Sequence, residues 1–205
     1  MRIGIFGGSF DPVHQGHLVV AECCREQAAL DRVLFVPAAI QPFKQDRALA
    51  DGALRAEMLA LAVGGNPAFS VSTLELDRGG VSYTVDTLAA LRDAHPADEM
   101  ALILGPDALA GLPEWREPGR ILALVRVLAV ERDGLDDVAA LVREPRLAAL
   151  LGPARAEEIV ADRVTVPALG IRSSDLRSLV KAGRSIRYRT PRAVERFIAA
   201  HELYT

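Results

Sequence analysis

Six short apolar or β-branched runs, most of them followed by a stretch with helical spacing, constrain this chain more than any other feature. The runs are Arg2–Phe6, Arg32–Val36, Phe69–Leu74, Met100–Leu104, Arg126–Glu131 and Val164–Val166. The first helix is expected from about His17 to Leu30, with Leu18, Ala21, Cys24 and Ala28 on one face and Glu22, Arg25 and Glu26 on the other. A second starts after Asp51 as N-cap and stops at Gly64-Gly65, and a third runs from about Thr84 to Asp93, ahead of Pro96. Others follow near Asp136–Val142, Ala156–Ala161 and Ser174–Ala182. The last takes Thr190 as N-cap and Pro191 as its first residue and extends towards His201. Such alternation implies right-handed βαβ units and an α/β fold, a doubly wound, mostly parallel Rossmann-like sheet. Ligands of these sheets bind beyond the carboxyl ends of the strands, so the segments after each strand come first in the search for a site. Ala38–Asp51 reads as a long loop, and such loops are often functional.

Composition narrows the class. A net charge of −3 and a pI near 5.8 argue against a nucleic-acid binder, while a small anionic ligand needs only a local basic patch. The start, MRIGIFGG, is not a signal peptide, and no apolar run approaches the roughly 18 residues that span a bilayer. Cys23 and Cys24 are adjacent and cannot staple a fold, which favours a reduced, cytoplasmic protein. Their spacing to the histidines does not suit a metal either, so they read as small apolar residues near a core face.

The strongest local signal follows the first strand: Gly7-Gly8-Ser9-Phe10-Asp11-Pro12-Val13-His14-Gln15-Gly16-His17. Glycines let backbone approach a ligand closely, and a helix starting near Gly16 aims its free N–H groups and positive dipole end at the same place. His14 and His17 can donate hydrogen bonds to phosphate oxygens. The loop lacks both G-x-G-x-x-G and the Gly-Lys-Ser/Thr ending of a P-loop, so neither common phosphate loop explains it.

This run resembles the signature of the nicotinate-mononucleotide adenylyltransferases; its H-x-G-H portion is shared with the wider nucleotidyltransferase superfamily. Further segments resemble that family in order: Gln41-Pro42-Phe43-Lys44, the stretch Glu75–Leu88, Gly105-Pro106-Asp107-Ala108-Leu109 with Leu112-Pro113-Glu114-Trp115, and Ile171–Arg177. Departures are Phe43 where the family often has His, Arg172 in place of the first Ser of the late motif, and a partly matching Glu131–Gly134 turn, in which Arg132 is given no role.

The resemblance implies a single nucleotidyltransferase domain over 1–205, with residues 1–170 as sheet core and 171–205 as a helical part carrying the late phosphate motif. It implies transfer of AMP from ATP to nicotinate mononucleotide, yielding deamido-NAD and pyrophosphate. By the same resemblance, His14, His17, Lys44 and Arg177 are the catalytic candidates. Gly7, Gly8, Ser9, Phe10, Gly105, Asp107, Ile171, Ser173 and Ser174 join His17 and Arg177 around ATP. Ser9, Phe10, Lys44, Tyr83, Thr84 and Trp115 receive the mononucleotide, Trp115 by stacking on the pyridine ring. Mg2+ is expected to be held by phosphates and water, with no protein side chain as ligand. Between Arg172 and Arg192, Lys181, Arg184 and Arg192 read as solvated surface, and His95 and His201 as surface residues. Asp107 has a second reading as a helix cap, and a lone tryptophan such as Trp115 is ordinarily core. Rival functions are a transferase acting on nicotinamide mononucleotide or phosphopantetheine, and a silent nucleotide-binding module. No nucleic-acid or membrane partner is expected, and the sequence leaves a homo-oligomer open.

Overall fold

The computed structural model describes residues 1–42 and 49–205; Phe43 and Lys44 lie outside the described residues. In chain order the elements are β1 (Arg2–Gly8), α1 (Gln15–Gln27), β2 (Arg32–Pro37), α2 (Gly52–Val63), β3 (Phe69–Val71), α3 (Leu74–Arg78), α4 (Thr84–Ala94) and β4 (Glu99–Leu104). Then come α5 (Pro106–Gly111), a 3-10 turn Leu112–Glu114, α6 (Pro118–Leu124), β5 (Arg126–Arg132), α7 (Val138–Leu141), α8 (Pro145–Ala161), β6 (Val164–Val166), α9 (Ser173–Lys181) and α10 (Arg192–Ala200). The strands form one sheet in the order β3-β2-β1-β4-β5-β6. β1 pairs in parallel with β4, β4 with β5 and β5 with β6. This is the doubly wound order, whose direction of growth reverses between β1 and β4.

Contacts gather the chain into two compact units. One comprises Met1–Phe6, Val20–Val33 and Tyr83–Ala168. Its core is the continuous apolar run Met100–Leu104 of β4 and Val127–Val130 of β5, all buried. Such runs belong to parallel strands covered on both faces. Gly4 sits in this core where a Cβ would come within 2.6 Å of the Leu30 side chain. The other unit comprises Gly7–Val19, Leu34–Ser82 and Leu169–Thr205. Its buried side chains include Phe10, Phe35, Met58, Leu59, Leu176 and Phe197.

The α/β expectation holds, and the Asp51 carboxylate caps α2 by accepting from the Ala53 N–H at 2.8 Å. Other expectations shift. Residue 74, placed at the end of a strand, opens α3, because Leu74-Glu75-Leu76-Asp77 alternates like a strand while forming a single helical turn with Glu75 buried. Helix α8 begins at Pro145, well before 156, and breaks at Gly152, whose φ of 66° and ψ of 169° interrupt it ahead of Pro153. At α10 the cap is Pro191 itself. Thr190 does not cap, because its hydroxyl donates to the Val13 carbonyl at 2.8 Å. No helix among the described residues is long and apolar enough to cross a membrane.

Candidate active site

The loop after β1 is shaped by two close approaches. A Cβ on Gly8 would lie 3.1 Å from the Phe10 ring, so glycine lets the strand end close against that ring. Phe10 itself is 2% exposed, with φ of 47° in the left-handed region. Its ring packs at 5.7 Å from Phe35 and edge-on at 5.0 Å from His17. Beyond it, three consecutive carbonyls are each held by a distant side chain. Arg177 Nη1 donates to Asp11 O at 2.6 Å, Ser173 Oγ to Pro12 O at 2.9 Å and Thr190 Oγ1 to Val13 O at 2.8 Å. The Gln15 N–H, at the start of α1, donates to Arg189 O at 2.9 Å.

Within this frame the two histidines stack, ring centroids 3.7 Å apart and planes 20° from parallel. Gly16 leaves that stack room: a Cβ there would stand 3.1 Å from both Cε1 and Nδ1 of His14, a tight contact. The His14 backbone N–H donates to His17 Nδ1 at 3.2 Å. A backbone amide can only donate, so a neutral His17 carries its proton on Nε2 and offers that atom as a donor. Burial pushes the His14 imidazole down to about 4. Burial, with the His14 ring beside it, holds His17 well below the ordinary histidine range. Both rings are therefore neutral near pH 7 in the free protein, whereas the residue types alone left room for a protonated pair.

Helix α9 begins beside the loop. Its cap position is Arg172, with extended backbone (φ −128°, ψ 141°) and no side-chain cap hydrogen bond. The replacement of serine there thus costs the helix its cap. Ser173 and Ser174 open the helix, Ile171 precedes them half-buried, and Arg177 lies one turn in. Lys181, Arg184 and Arg192 are exposed, as expected of solvated surface.

Three residues missed at the sequence level complete this cluster. Asp11 is 1% exposed and Arg55 2% exposed. Arg55 donates to Ser9 O at 2.8 Å and to Ala50 O at 2.9 Å, fixing the loop's first turn. The Tyr204 hydroxyl donates to Asp11 Oδ1 at 2.6 Å. Arg55 was findable, since it lies three and four residues before the buried Met58 and Leu59 on one face of α2. Tyr204 carried no local signal.

The other unit holds the remaining candidates. Tyr83 is the N-cap of α4 and Thr84 its first residue, so the helix's opening N–H groups have no intrahelical acceptor. The Arg116 guanidinium lies 4.8 Å from the centre of the Tyr83 ring and 3.4 Å from Asp86 Oδ2. Trp115 follows the 3-10 turn and is only half-buried, so it is not a core tryptophan. Gly105 caps α5, leaving Asp107 exposed in its first turn without a capping bond. The cap reading of Asp107 therefore fails. Arg132, given no role, closes a local turn by donating through Nε and Nη2 to Asp136 at 2.7 and 2.8 Å.

Residues 5–179 match the cytidylyltransferase-like family. The chain is 48% identical over 202 residues to a "Probable nicotinate-nucleotide adenylyltransferase" of Roseiflexus sp. (strain RS-1), covering 98% of this chain and 97% of that one. It is 44% identical over 204 residues to a protein of the same description from Thermus thermophilus, covering 100% of both. Among solved structures, Plasmodium falciparum nicotinic acid mononucleotide adenylyltransferase complexed with NaAD superposes with a TM-score of 0.75 at 18% identity, covering 99% of this chain and 97% of that one. The fold is thus the one seen there, and full-length identity above 40% goes further: the chain belongs to the cytidylyltransferase-like family and, within it, to the nicotinate-nucleotide adenylyltransferases.

Proposed function

We propose that the chain joins AMP from ATP to nicotinate mononucleotide. A phosphate oxygen of the mononucleotide attacks the α-phosphorus of ATP. The new P–O bond forms as the bond from that phosphorus to the bridging oxygen of the β-phosphate breaks. Pyrophosphate leaves and deamido-NAD remains. The nucleophile is largely ionised near neutral pH, its second phosphate pKa being about 6, so no general base is required. Rate then comes from alignment and from donors aimed at the charge that develops.

The observation that carries this reading is the neutral His17, whose Nε2 is made a donor by the His14 amide on Nδ1. We assign His14 and His17 to the ATP phosphates, His17 nearest the reacting one. The backbone of Gly7, Gly8, Ser9 and Phe10 lines the phosphates, with Ser9 and Phe10 receiving that of the mononucleotide. Arg177 and the first N–H groups of α9, at Ser173 and Ser174, take the β- and γ-phosphates, with Ile171 alongside the ATP. The Ser173 hydroxyl is already committed to Pro12, so this residue contributes its amide. Lys44 neutralises phosphate charge. Gly105 and Asp107 serve the adenosine ribose. Trp115 stacks on the pyridine, with Tyr83 beside it, and the α4 amides at Thr84 receive the nicotinate carboxylate.

ATP enters as its magnesium complex. Magnesium takes oxygen ligands and keeps phosphate and water in its shell. Among the described residues no group of three or more His, Cys, Asp or Glu is placed to hold a metal. The buried carboxylate of the loop, Asp11, is occupied by Tyr204 and Arg177. These residues fit an ion carried on the triphosphate. The whole chain acting as one nucleotidyltransferase domain in the cytoplasm belongs to the same reading.

The deciding experiment is pyrophosphate release with MgATP and, separately, nicotinate mononucleotide, nicotinamide mononucleotide and phosphopantetheine, with products identified by mass. Turnover of the acid mononucleotide to deamido-NAD in preference to the others is expected. Turnover confined to phosphopantetheine, or to none, overturns the assignment.

A further inference from the structure

A carboxylate that is 1% exposed must be compensated, and Asp11 is compensated in an unusual way. Its Oδ1 accepts from the Tyr204 hydroxyl at 2.6 Å and from the Ala50 N–H at 3.3 Å. Its Oδ2 has no hydrogen bond among the described residues and faces Arg177 Nη1 at 3.6 Å. That same nitrogen donates to the Asp11 carbonyl at 2.6 Å, so one residue grips one corner of the guanidinium twice. The Nε and Nη2 edge of Arg177 makes no hydrogen bond among the described residues, and the side chain is 28% exposed. A guanidinium presents its donors in a rigid plane, so fixing one nitrogen aims the others.

Tyr204 is held for this purpose at a conformational cost. It has φ of 66°, and Glu202 in the same turn has φ of 51°. Left-handed backbone is unfavourable for such residues and persists where surrounding contacts over-determine it. The turn is closed by the Leu203 N–H donating to Ile198 O at 3.0 Å. A tyrosine hydroxyl could otherwise reach water. Here it is turned inward and bonded to the buried acid.

We propose that Tyr204 and Asp11 are positioning residues for the triphosphate: the phenol fixes the Asp11 carboxylate, and Asp11 fixes Arg177 so that its open edge meets a phosphate already oriented. This rests on the phosphate role given to Arg177 above. In the full-length protein, Tyr204→Phe removes one hydroxyl and leaves the ring. Loss of a hydrogen bond to a charged group is expected to weaken ATP about tenfold, in both KM and the Kd of a non-hydrolysable ATP analogue. The KM for the mononucleotide is expected to stay within about twofold, because no group proposed for its pyridine end is touched. In an Arg177→Gln background, Tyr204→Phe is expected to add nothing to the loss of analogue affinity. Asp11→Asn, which keeps the shape and removes the charge, is expected to behave as Tyr204→Phe does. Equal losses for both substrates, full additivity with Arg177→Gln, or unchanged ATP affinity would each overturn the proposal. Should the wild-type protein turn over no mononucleotide, the functional reading fails, and the analogue titrations still decide the role of Tyr204.

Discussion

His14 and His17 lie face to face at 3.7 Å, and the ring that stacks on His17 belongs to the residue whose amide sets its tautomer. This arrangement keeps two histidines uncharged where the triphosphate is proposed to bind, and it ties the stability of the loop to pH. The folded His14 pKa is about 4, and that of an unfolded histidine is about 6.5. Between these values the unfolded chain binds more protons, so stability falls as pH drops through the window and levels off below about 4 for this group. His17, held low by the same burial, acts in the same direction. Urea unfolding from pH 7 to pH 4 is expected to show that decline, and His14→Gln is expected to flatten it. An unchanged slope in the variant would mean that the ring is solvated in the folded state.

Gly16→Ala separates stability from turnover. Alanine is favoured over glycine in a helix interior by about 1 kcal/mol, less in the first turn where Gly16 lies, so the melting temperature is expected to change little. The added Cβ would sit 3.1 Å from His14 Cε1 and Nδ1, so the ring must shift by a few tenths of an ångström. Turnover is expected to fall at least about tenfold, since small misplacements of aligned groups cost that much or more. Stopped-flow kinetics beside calorimetry would check the pair, and a fall in stability with full turnover would refute the argument.

The uncapped start of α9 offers a gain. Arg172 already has the extended backbone of a cap, so Arg172→Ser supplies the missing acceptor without rearrangement. A stabilisation of about 1 kcal/mol is expected from denaturant titration. No change would show that solvent already satisfies those amides.

Trp115→Ala tests the pyridine assignment. Truncating a core tryptophan costs about 3–5 kcal/mol. Trp115 is half-buried, so a much smaller loss of stability is expected. The KM for the mononucleotide is expected to rise several-fold with that for ATP nearly constant. A large stability loss with unchanged KM would return the residue to the core.

Much of this was legible from local pattern. The Asp51 cap, the Gly64 stop and the long apolar runs of β4 and β5 announce themselves because each depends on neighbours in sequence. What escaped depends on partners far away. Thr190 is an ordinary helix cap by sequence and becomes a tether only because Val13 O lies beside it. Asp11 sits inside the quoted motif, yet nothing in that motif says that the Tyr204 hydroxyl bonds to it. Short helices were the other failure. The α3 turn alternates like a strand, and α6 follows Glu117 in left-handed backbone (φ 51°), a conformation its residue type does not advertise. The charge state of the histidines also escaped, being set by burial that only the folded chain defines.

The three carbonyls of Asp11, Pro12 and Val13 are secured by side chains 166, 161 and 177 residues further on. Contacts of such sequence separation close long loops, which slows their formation relative to local contacts. Until those residues are made, only nearer contacts such as that of Arg55 with Ser9 O can hold the histidine loop. On the proposed reading, competence for ATP requires residues 173–190 to dock on that loop.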